Sequence, residues 1–314
     1  MKKTILFLLC IALPNLLLAC GCDMLIAYQG IMPNDYKASI GLNFRQRNYQ
    51  GAASTHMHAD GTMHEHGQMK QTLINYELNY RFFLTKKIIL IGNLPIANNQ
   101  LSGSSMASEY KNVGVADPFL LLKYELISPN NTDNKINKQR LLIGSGVKLP
   151  LGKSYSDISN NVVANENLLQ LQTGTGSFDW MINANYQLRH KHIGLQGDVL
   201  YKKNFSNPLG YQKGNQLNTQ VSYFYQKRWA NYLLMPFIGS NLEVAALDKI
   251  NKNTLDNTGG VNIYGNVGVE FYINKIALNF NYQQLIGQNL NGFQMKNKLR
   301  FNFGINYNLN FKSR

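Results

Sequence analysis

The sequence predicts an all-β protein, a transmembrane up-and-down antiparallel β-barrel of about twelve strands that follows an N-terminal signal peptide. Apolar and polar residues alternate through long segments; in residues 299–311 one face is Leu, Phe, Phe, Ile, Tyr, Leu and Phe. Turn residues recur at regular intervals. Charged residues make up 15% of the chain, against about 25% in soluble domains. Lipid on one face and water on the other require such alternation, and a soluble sandwich is the alternative interpretation.

The first element is an export signal at residues 1–19. Lys2 and Lys3 give it a positive start, and residues 5–13 form a short apolar core, which is the pattern of a secretory signal. This core is shorter than the roughly 20 apolar residues of a spanning helix. Residues 20–36 are then expected to form a short periplasmic segment before the barrel.

Cys20 follows Leu-Leu-Ala, which resembles the cleavage site of lipoproteins, whose cysteine carries the lipid. Leu18 departs from that pattern, since a small residue is preferred there. Lipidation of Cys20 and ordinary signal cleavage both remain open. Cys22 is the other cysteine of the mature chain, and a disulfide across one intervening residue would be strained. A disulfide-stapled fold is therefore excluded.

The barrel is expected to occupy residues 37–314, with each strand recognised by its alternation and bounded by turn residues. The tenth strand shows the pattern clearly, because Val, Ile, Val, Val and Phe alternate there with Asn, Asn and Glu. We predict strands at about residues 37–49, 71–83, 88–97, 113–127 and 139–151, a sixth after Gly176, and then 192–204, 216–228, 232–244, 261–273, 276–286 and 296–311.

The predicted connections alternate between short and long. Short turns fall at residues 85–86, 190–191, 229–230 and 274–275, and long loops at 50–69, 100–112, 152–175, 205–215 and 245–260. Outer-membrane barrels have short periplasmic turns and long extracellular loops. Both chain ends are therefore expected on the periplasmic side, and the loop at residues 50–69 outside the cell.

Lipid cannot satisfy the edge of an open sheet, so a sheet in the membrane must close. The expected location is the outer membrane of a Gram-negative bacterium, with membrane lipid as a partner. The formal charge of +14 then suits a basic lumen or anionic lipid headgroups. Nucleic acid is not an expected partner of an exported protein, and the oligomeric state is not readable from the sequence.

Three segments carry a family resemblance. They are residues 114–118 (Gly-Val-Ala-Asp-Pro), 147–153 (Val-Lys-Leu-Pro-Leu-Gly-Lys) and 171–179 (Leu-Gln-Thr-Gly-Thr-Gly-Ser-Phe-Asp). In this order and spacing they resemble the outer-membrane transporters of the "MetA-pathway of phenol degradation" type, which are similar in turn to fatty-acid and toluene transporters. The resemblance implies passive movement of a small solute and no catalytic residues. The short segment before the barrel departs from the long N-terminal plug of the fatty-acid transporters.

A loop rich in histidine and methionine follows the first strand. Four of the six histidines and three of the ten methionines of the chain lie in it. Imidazole suits copper, zinc and nickel, and thioethers select Cu(I), so copper is favoured over zinc as the metal. A solvated polar loop is the alternative. The candidate metal ligands are His56, Met57, His58, Met63, His64, His66 and Met69.

Charged residues at inward positions of the strands are the candidate lining of a pore. Rings of such side chains set ion selectivity. Cations outnumber anions eight to five, which predicts a weak preference for anions, whereas pairing across a plugged lumen would give a barrel that conducts nothing. The set is Arg45, Arg47, Glu77, Arg81, Lys123, Glu125, Lys148, Asp179, Arg189, Asp198, Lys202, Glu270 and Arg300.

Three functions remain in competition. The first is a channel or transporter for a small solute, with a link to copper or another transition metal through the loop as a further hypothesis. The second is a non-conducting structural barrel or a metal-binding surface receptor or lipoprotein. An enzyme is the third and least favoured, because nucleophilic catalysis needs a serine beside a histidine. Only His190 and His192 lie outside the loop, at a predicted periplasmic turn.

Overall fold

The computed structural model describes residues 38–57, 63–104, 109–129, 137–154 and 169–309, and for residues 52–57 and 63–66 it describes the backbone only. The signal peptide, the segment at residues 20–36, Cys20 and His58 lie outside the described residues. The secondary structure is almost entirely β-strand. The strands are β1 Ala38–Met57, β2 Met63–Phe83, β3 Ile88–Gly103, β4 Tyr110–Val115, β5 Phe119–Ile127, β6 Asn137–Lys148, β7 Asp179–His190, β8 Ile193–Lys203, β9 Tyr211–Gln212, β10 Gln216–Tyr225, β11 Lys227–Trp229, β12 Tyr232–Ala245, β13 Lys249–Ile250, β14 Asn253–Thr254, β15 Gly260–Ile273, β16 Ile276–Leu290 and β17 Lys296–Leu309.

The long strands form one closed antiparallel sheet. Each pairs with the next along the chain, and β1 pairs with β17 to close the cylinder. Strands β4 and β5 both pair with β3, and β10 and β11 both pair with β12, so each of these pairs counts as one barrel strand. This confirms the predicted twelve-stranded barrel. Strands β9, β13 and β14 form a small separate sheet within two of the long connections.

The two faces of the barrel wall differ in polarity, as the alternation predicts. The outer face is apolar, with Leu42, Ile238 and Ile305 exposed to 66%, 63% and 47%. The inward positions carry buried asparagine, glutamine and charged side chains. A closed sheet with an apolar exterior and a polar interior is the arrangement that a bilayer requires. The protein is therefore a barrel of the Gram-negative outer membrane.

Within the described ranges, no helix is long and apolar enough to cross a membrane.

The strands at the long-loop end extend further than predicted. β1 and β2 continue through residues 50–57 and 63–69, which were predicted as loop, and β3 continues to Gly103. The cross-strand register in this extension is regular from Gln50, paired with Lys70, to Met57, paired with Met63. The sequence there is rich in Gly, Ala, Ser, Thr and His, so it lacks the alternation that predicts a strand. Backbone pairing continues where the pattern ends.

The interior of the barrel also contains apolar clusters, which the prediction of a polar lumen missed. One cluster lines the inward face of β3 to β8, and another lines β10 and β12. Alternation specifies which face a residue occupies, whereas neighbouring inward positions decide whether that face is wet. The clusters are Ile89, Ile91, Phe119, Leu121, Leu142, Met181 and Leu200, and Phe224, Leu233, Met235 and Phe237.

Candidate functional site: the lumen and its outer closure

The three segments that carry the family resemblance meet in space around the Lys148 ammonium group. Lys148 Nζ lies 2.6 Å from Asp117 Oδ2 and 2.9 Å from Asp179 Oδ2. It also donates to the Thr175 hydroxyl. All three charged side chains are buried. Ser177 Oγ donates to Asp179 Oδ1 at 2.9 Å. We call Asp117, Lys148, Thr175, Ser177 and Asp179 the clasp.

The clasp ties several connections together through backbone N–H groups. Asp117 accepts hydrogen bonds from Gly152 N and Thr175 N, both at 2.8 Å. Asp179 accepts one from Phe205 N at 3.0 Å, in the next long connection. Charge-assisted bonds of this kind are stronger than neutral ones. The predicted pore-lining residues Lys148 and Asp179 are therefore inward-facing members of a structural ion-pair cluster.

Residues 169–178, in the connection between β6 and β7, pack against the inner face of the barrel wall, and we call them the strap. Leu171 belongs to the connection between β6 and β7 but is fully buried in a cluster with residues of β1, β2 and β3 and with the residue just before β17. Its carbonyl oxygen accepts hydrogen bonds from Asn99 Nδ2 at 3.2 Å and Asn112 Nδ2 at 2.9 Å. The strap thus narrows the lumen at the long-loop end. The cluster around Leu171 consists of Tyr49, Met69, Leu73, Leu101 and Met295.

Below the strap lies a small cavity of about 50 Å³, which we call the arginine chamber. Its charged lining is Arg45, Arg47, Glu243 and Arg300. Its amide lining is Asn218, Gln220, Asn241, Asn281, Gln283 and Asn302.

The charges of the chamber are held by ion pairs and one aromatic ring. Arg45 Nη2 lies 3.2 Å from Glu77 Oε2, and Arg300 Nη1 lies 2.6 Å from Glu243 Oε1. The Arg300 guanidinium also stacks 4.1 Å from the ring centroid of Tyr264, a favourable cation–π geometry. Arg47 pairs with Arg300 in the register of β1 and β17, so two guanidinium groups enter the chamber at one level.

A second cavity, of about 70 Å³, lies toward the short turns, and we call it the vestibule. It is lined by Ser39, Asn43, Asn79, Arg81, Glu270 and Tyr272, among others. Tyr272 donates its hydroxyl to Glu270 Oε2 at 2.7 Å. The barrel interior therefore contains two polar cavities, and the strap lies beyond the chamber.

The remaining predicted pore residues also lie on inward faces but outside the chamber. Glu125 accepts from Arg140 Nε at 2.8 Å, and Arg189 Nη1 donates to Gln226 Oε1 at 2.8 Å. Asp198 accepts from Asn183 and Asn185, both at 3.0 Å. Lys123 and Lys202 are buried on the inner face of their strands. All thirteen predicted residues are inward-facing, whereas lining of an open pore stays a prediction.

Sequence analysis missed several residues of the site. Glu243 and Tyr264 occupy inward positions of β12 and β15, so alternation within those two strands was the signal for them. Alternation was also the signal for Arg140, which lies in β6. It could not identify Asp117, which lies between β4 and β5. Its partnership with Lys148 is long-range and carries no mark in the sequence.

The candidate metal ligands divide between the end of the β1–β2 hairpin and the barrel interior. In the backbone register His56 pairs with His64, Met57 with Met63, and Ser54 with His66. The Met69 side chain is instead buried in the cluster around Leu171, and we therefore leave it out of the metal proposal. Side chains of the described ranges form no group of three metal-ligating residues.

The two other histidines lie near short turns. His190 Nδ1 contacts Asn137 Oδ1, and His192 Nδ1 lies 3.1 Å from the backbone carbonyl oxygen of Gln226. Neither contact is with a serine hydroxyl, which a nucleophilic site would need.

Comparison with solved structures agrees with this geometry. The chain is similar to an outer membrane channel from Pseudomonas putida F1, with a TM-score of 0.58 and 17% identity over 89% of this chain and 100% of that one. The fold is that of an outer-membrane β-barrel. The transport unit of the autotransporter AIDA-I from Escherichia coli is more distant, with a TM-score of 0.45 and 9% identity over 88% of this chain and 92% of that one.

No protein-family model and no curated protein matches the chain.

Proposed function

We propose that the protein is an outer-membrane channel for passive movement of small polar solutes, with a preference for anions. The observation that carries the proposal is the pair of polar cavities inside a wall whose exterior is apolar. Several amide groups on these cavities have side-chain atoms with no hydrogen-bond partner among the described residues, such as Oδ1 of Asn79, Asn281 and Asn302. Buried polar groups need partners, and water or solute in a passage supplies them.

The anion preference follows from the charge of the arginine chamber. Three guanidinium groups and one carboxylate line it, and the dielectric inside a narrow lumen is lower than in bulk water, so this field is weakly screened. The similarity to the outer membrane channel of Pseudomonas putida F1 supports the fold on which the proposal depends. The clasp and the strap would restrict the passage to small solutes.

Single-channel recording of the refolded mature protein in planar bilayers tests the channel. We expect discrete current steps. Under a potassium chloride gradient, we expect a reversal potential shifted toward the equilibrium potential of chloride. Bilayers that show no steps under any solute gradient would reject the channel in favour of a structural barrel. Current steps with a reversal potential shifted toward the equilibrium potential of potassium would reject only the anion preference.

We also propose metal binding at the end of the β1–β2 hairpin, with copper favoured over zinc. The supporting observation is the register, in which His56 pairs with His64 and His66 lies two residues further along the same strand. Residues two apart lie on one face of a strand, so these three positions share a face, while Met57 and Met63 share the other.

Calorimetric titration with copper and zinc tests this second proposal. We expect the wild-type protein to bind and a variant with His56, His58, His64 and His66 replaced by Ala not to bind. A His190→Ala/His192→Ala variant is the matched control, because it removes two imidazoles that lie near short turns and away from the hairpin. Equal binding by the wild type and the histidine variant would retire the metal site.

A further inference from the structure

We infer that the short-turn end of the barrel binds anionic phospholipids through a ring of lysines on its outer rim. The inference concerns the exterior of the wall, so it holds whether or not the lumen conducts. Each of the short turns at residues 84–87, 190–192, 226–231 and 274–275 contains an exposed lysine. We call these lysines the collar, and they are Lys86, Lys87, Lys191, Lys227 and Lys275.

The collar is not balanced by acidic side chains on the same rim. The described carboxylates nearest to the short turns are Glu125 and Glu270, which are both 2% exposed and face the barrel interior. The exposed carboxylates among the described side chains, Glu109 and Asp256, lie at the long-loop end. The outer rim at the short turns is therefore cationic, and charge complementarity favours an anionic partner.

Three of the collar lysines lie against aromatic rings on the lipid-facing side of the wall. The rings are between 44% and 45% exposed. Exposed aromatic rings of membrane proteins are enriched at the level of the lipid headgroups, and a cation within about 6 Å of a ring is attracted to it. These contacts therefore hold the ammonium groups beside the headgroups. Measured from Nζ to the ring centroid, the pairs are Lys227 and Trp229 at 4.8 Å, Lys87 and Tyr124 at 5.9 Å, and Lys275 and Tyr307 at 5.9 Å.

The backbone of the turn at residues 190–192 does not itself favour a lysine. Lys191 has a φ angle of 53°, in the left-handed region that glycine and asparagine adopt most readily. The conformation of the turn gives no reason for a lysine at this position, whereas the phosphate of a headgroup does.

The spacing of the turns suits lipid headgroups. The turns at residues 190–192, 226–231 and 274–275 join successive pairs of strands around the wall, so neighbouring turns are roughly 10 Å apart. This spacing is close to the Debye length of about 8 Å at physiological ionic strength, so a phosphate between two turns interacts with both ammonium groups.

The position of the collar identifies the lipid as a phospholipid. The short turns of outer-membrane barrels face the periplasm, and the leaflet on that side consists of phospholipids. Beside the collar the exterior of the wall is apolar and contacts acyl chains. A phospholipid with an anionic headgroup therefore contacts both the apolar wall and the collar.

Quenching of tryptophan fluorescence by brominated lipids tests the inference with the refolded mature protein in vesicles. The chain has two tryptophans, so Trp180→Phe leaves Trp229 as the reporter at the collar. The experiment compares brominated phosphatidylglycerol with brominated phosphatidylcholine. We expect phosphatidylglycerol to bind about fivefold or more tightly, which corresponds to about one effective lysine at an anionic surface.

The salt dependence of this preference tests its electrostatic origin. Because salt screens exposed charges, the preference should weaken between about 0.1 M and about 1 M salt. Equal binding of the two lipids at low salt, or a preference that salt does not weaken, would overturn the inference.

Two double variants in the same background locate the binding at the collar. Lys191→Gln/Lys275→Gln removes the lysines of the turns on either side of the reporter, and about half or more of the preference should be lost. Lys153→Gln/Lys203→Gln is the matched control, because it removes two exposed lysines from the long-loop end, and it should keep the preference. A preference that survives the first change, or that both changes reduce equally, would overturn the inference.

Lipid A, which has phosphates on a sugar headgroup, is the competing occupant. We expect lipid A to displace brominated phosphatidylglycerol from the collar less effectively than unlabelled phosphatidylglycerol does. More effective displacement by lipid A would overturn the assignment to a phospholipid. None of these measurements depends on current through the barrel, so their failure would leave the proposed channel in place.

Discussion

The clasp and the arginine chamber both bury charged side chains inside the same barrel, but they balance them in opposite ways. In the clasp one ammonium group serves two carboxylates, and backbone N–H groups and hydroxyls from neighbouring connections complete the set. In the chamber three guanidinium groups and one carboxylate line the cavity, and several acceptor atoms have no partner in the described part of the chain.

This difference indicates which buried charges stabilise the fold and which line a cavity that a solute could enter. Breaking a buried ion pair leaves an uncompensated charge and costs several kcal/mol, so a self-contained cluster such as the clasp stabilises the connections it joins. The chamber also contains two buried ion pairs, but several of its amide oxygens have no partner among the described residues and do not contribute in this way. Substitutions in the two regions should therefore separate stability from transport.

The largest effect is expected for Lys148→Met, because it leaves the Asp117 and Asp179 carboxylates buried without their cation. The free energy of unfolding should fall by about 3–5 kcal/mol, measured by urea titration in lipid vesicles. Lys153→Met is the matched control, since the Lys153 side chain is exposed. A Lys148→Met barrel as stable as the wild type would contradict a stabilising role for the clasp.

Leu171→Ala should have the next largest effect, since the leucine is fully buried between the strap and the barrel wall. Truncation of a buried leucine lowers the free energy of unfolding by about 2–5 kcal/mol. Because the substitution weakens the packing of the strap against the wall, the single-channel conductance should rise. Leu151→Ala is the control, because Leu151 is 61% exposed. Unchanged conductance in Leu171→Ala would show that the strap does not limit the passage.

Gly152→Ala should have a smaller effect on stability. A Cβ atom at Gly152 would lie 2.7 Å from the Cα of Gly174, so the two backbone segments that the clasp joins would have to separate. Overpacking of this kind costs about 1–3 kcal/mol, measured by the same urea titration. Gly197→Ala is the control, because no atom lies within 4 Å of a Cβ placed there. Equal losses in the two variants would reject close packing as the cause.

The smallest effect is expected for Arg47→Gln in the chamber, and it concerns ion selectivity. The ratio of chloride to potassium permeability should fall toward unity, by about twofold, because one of the three guanidinium groups that line the chamber is lost. Reversal potentials in a salt gradient measure this ratio, with Lys86→Gln as the control of equal charge. A permeability ratio equal to that of the wild type would place the selectivity outside the chamber.

The barrel was predictable because lipid and water impose a period of two on every strand. Arg45, Glu77 and Arg300 follow this period, so their inward positions were readable from the sequence. The clasp was not, since Asp117 meets Thr175 across 58 positions of chain. The inward path of Leu171 was also not predictable, because the packing of a connection depends on the surfaces it reaches. The β1–β2 extension was missed because its sequence does not alternate.

The seam between β1 and β17 has a consequence for how the molecule is made. Ala38 pairs with Leu309, so the first and last described strands are neighbours in the finished cylinder. Contacts between distant parts of a chain form slowly, because a large loop must be closed before they contribute. The newly made polypeptide has two unpaired edges until its final strand has been synthesised and exported. The barrel therefore cannot close before β17 is available to pair with β1. A chain truncated before β17 would leave an open sheet with unpaired edges, which is prone to aggregation.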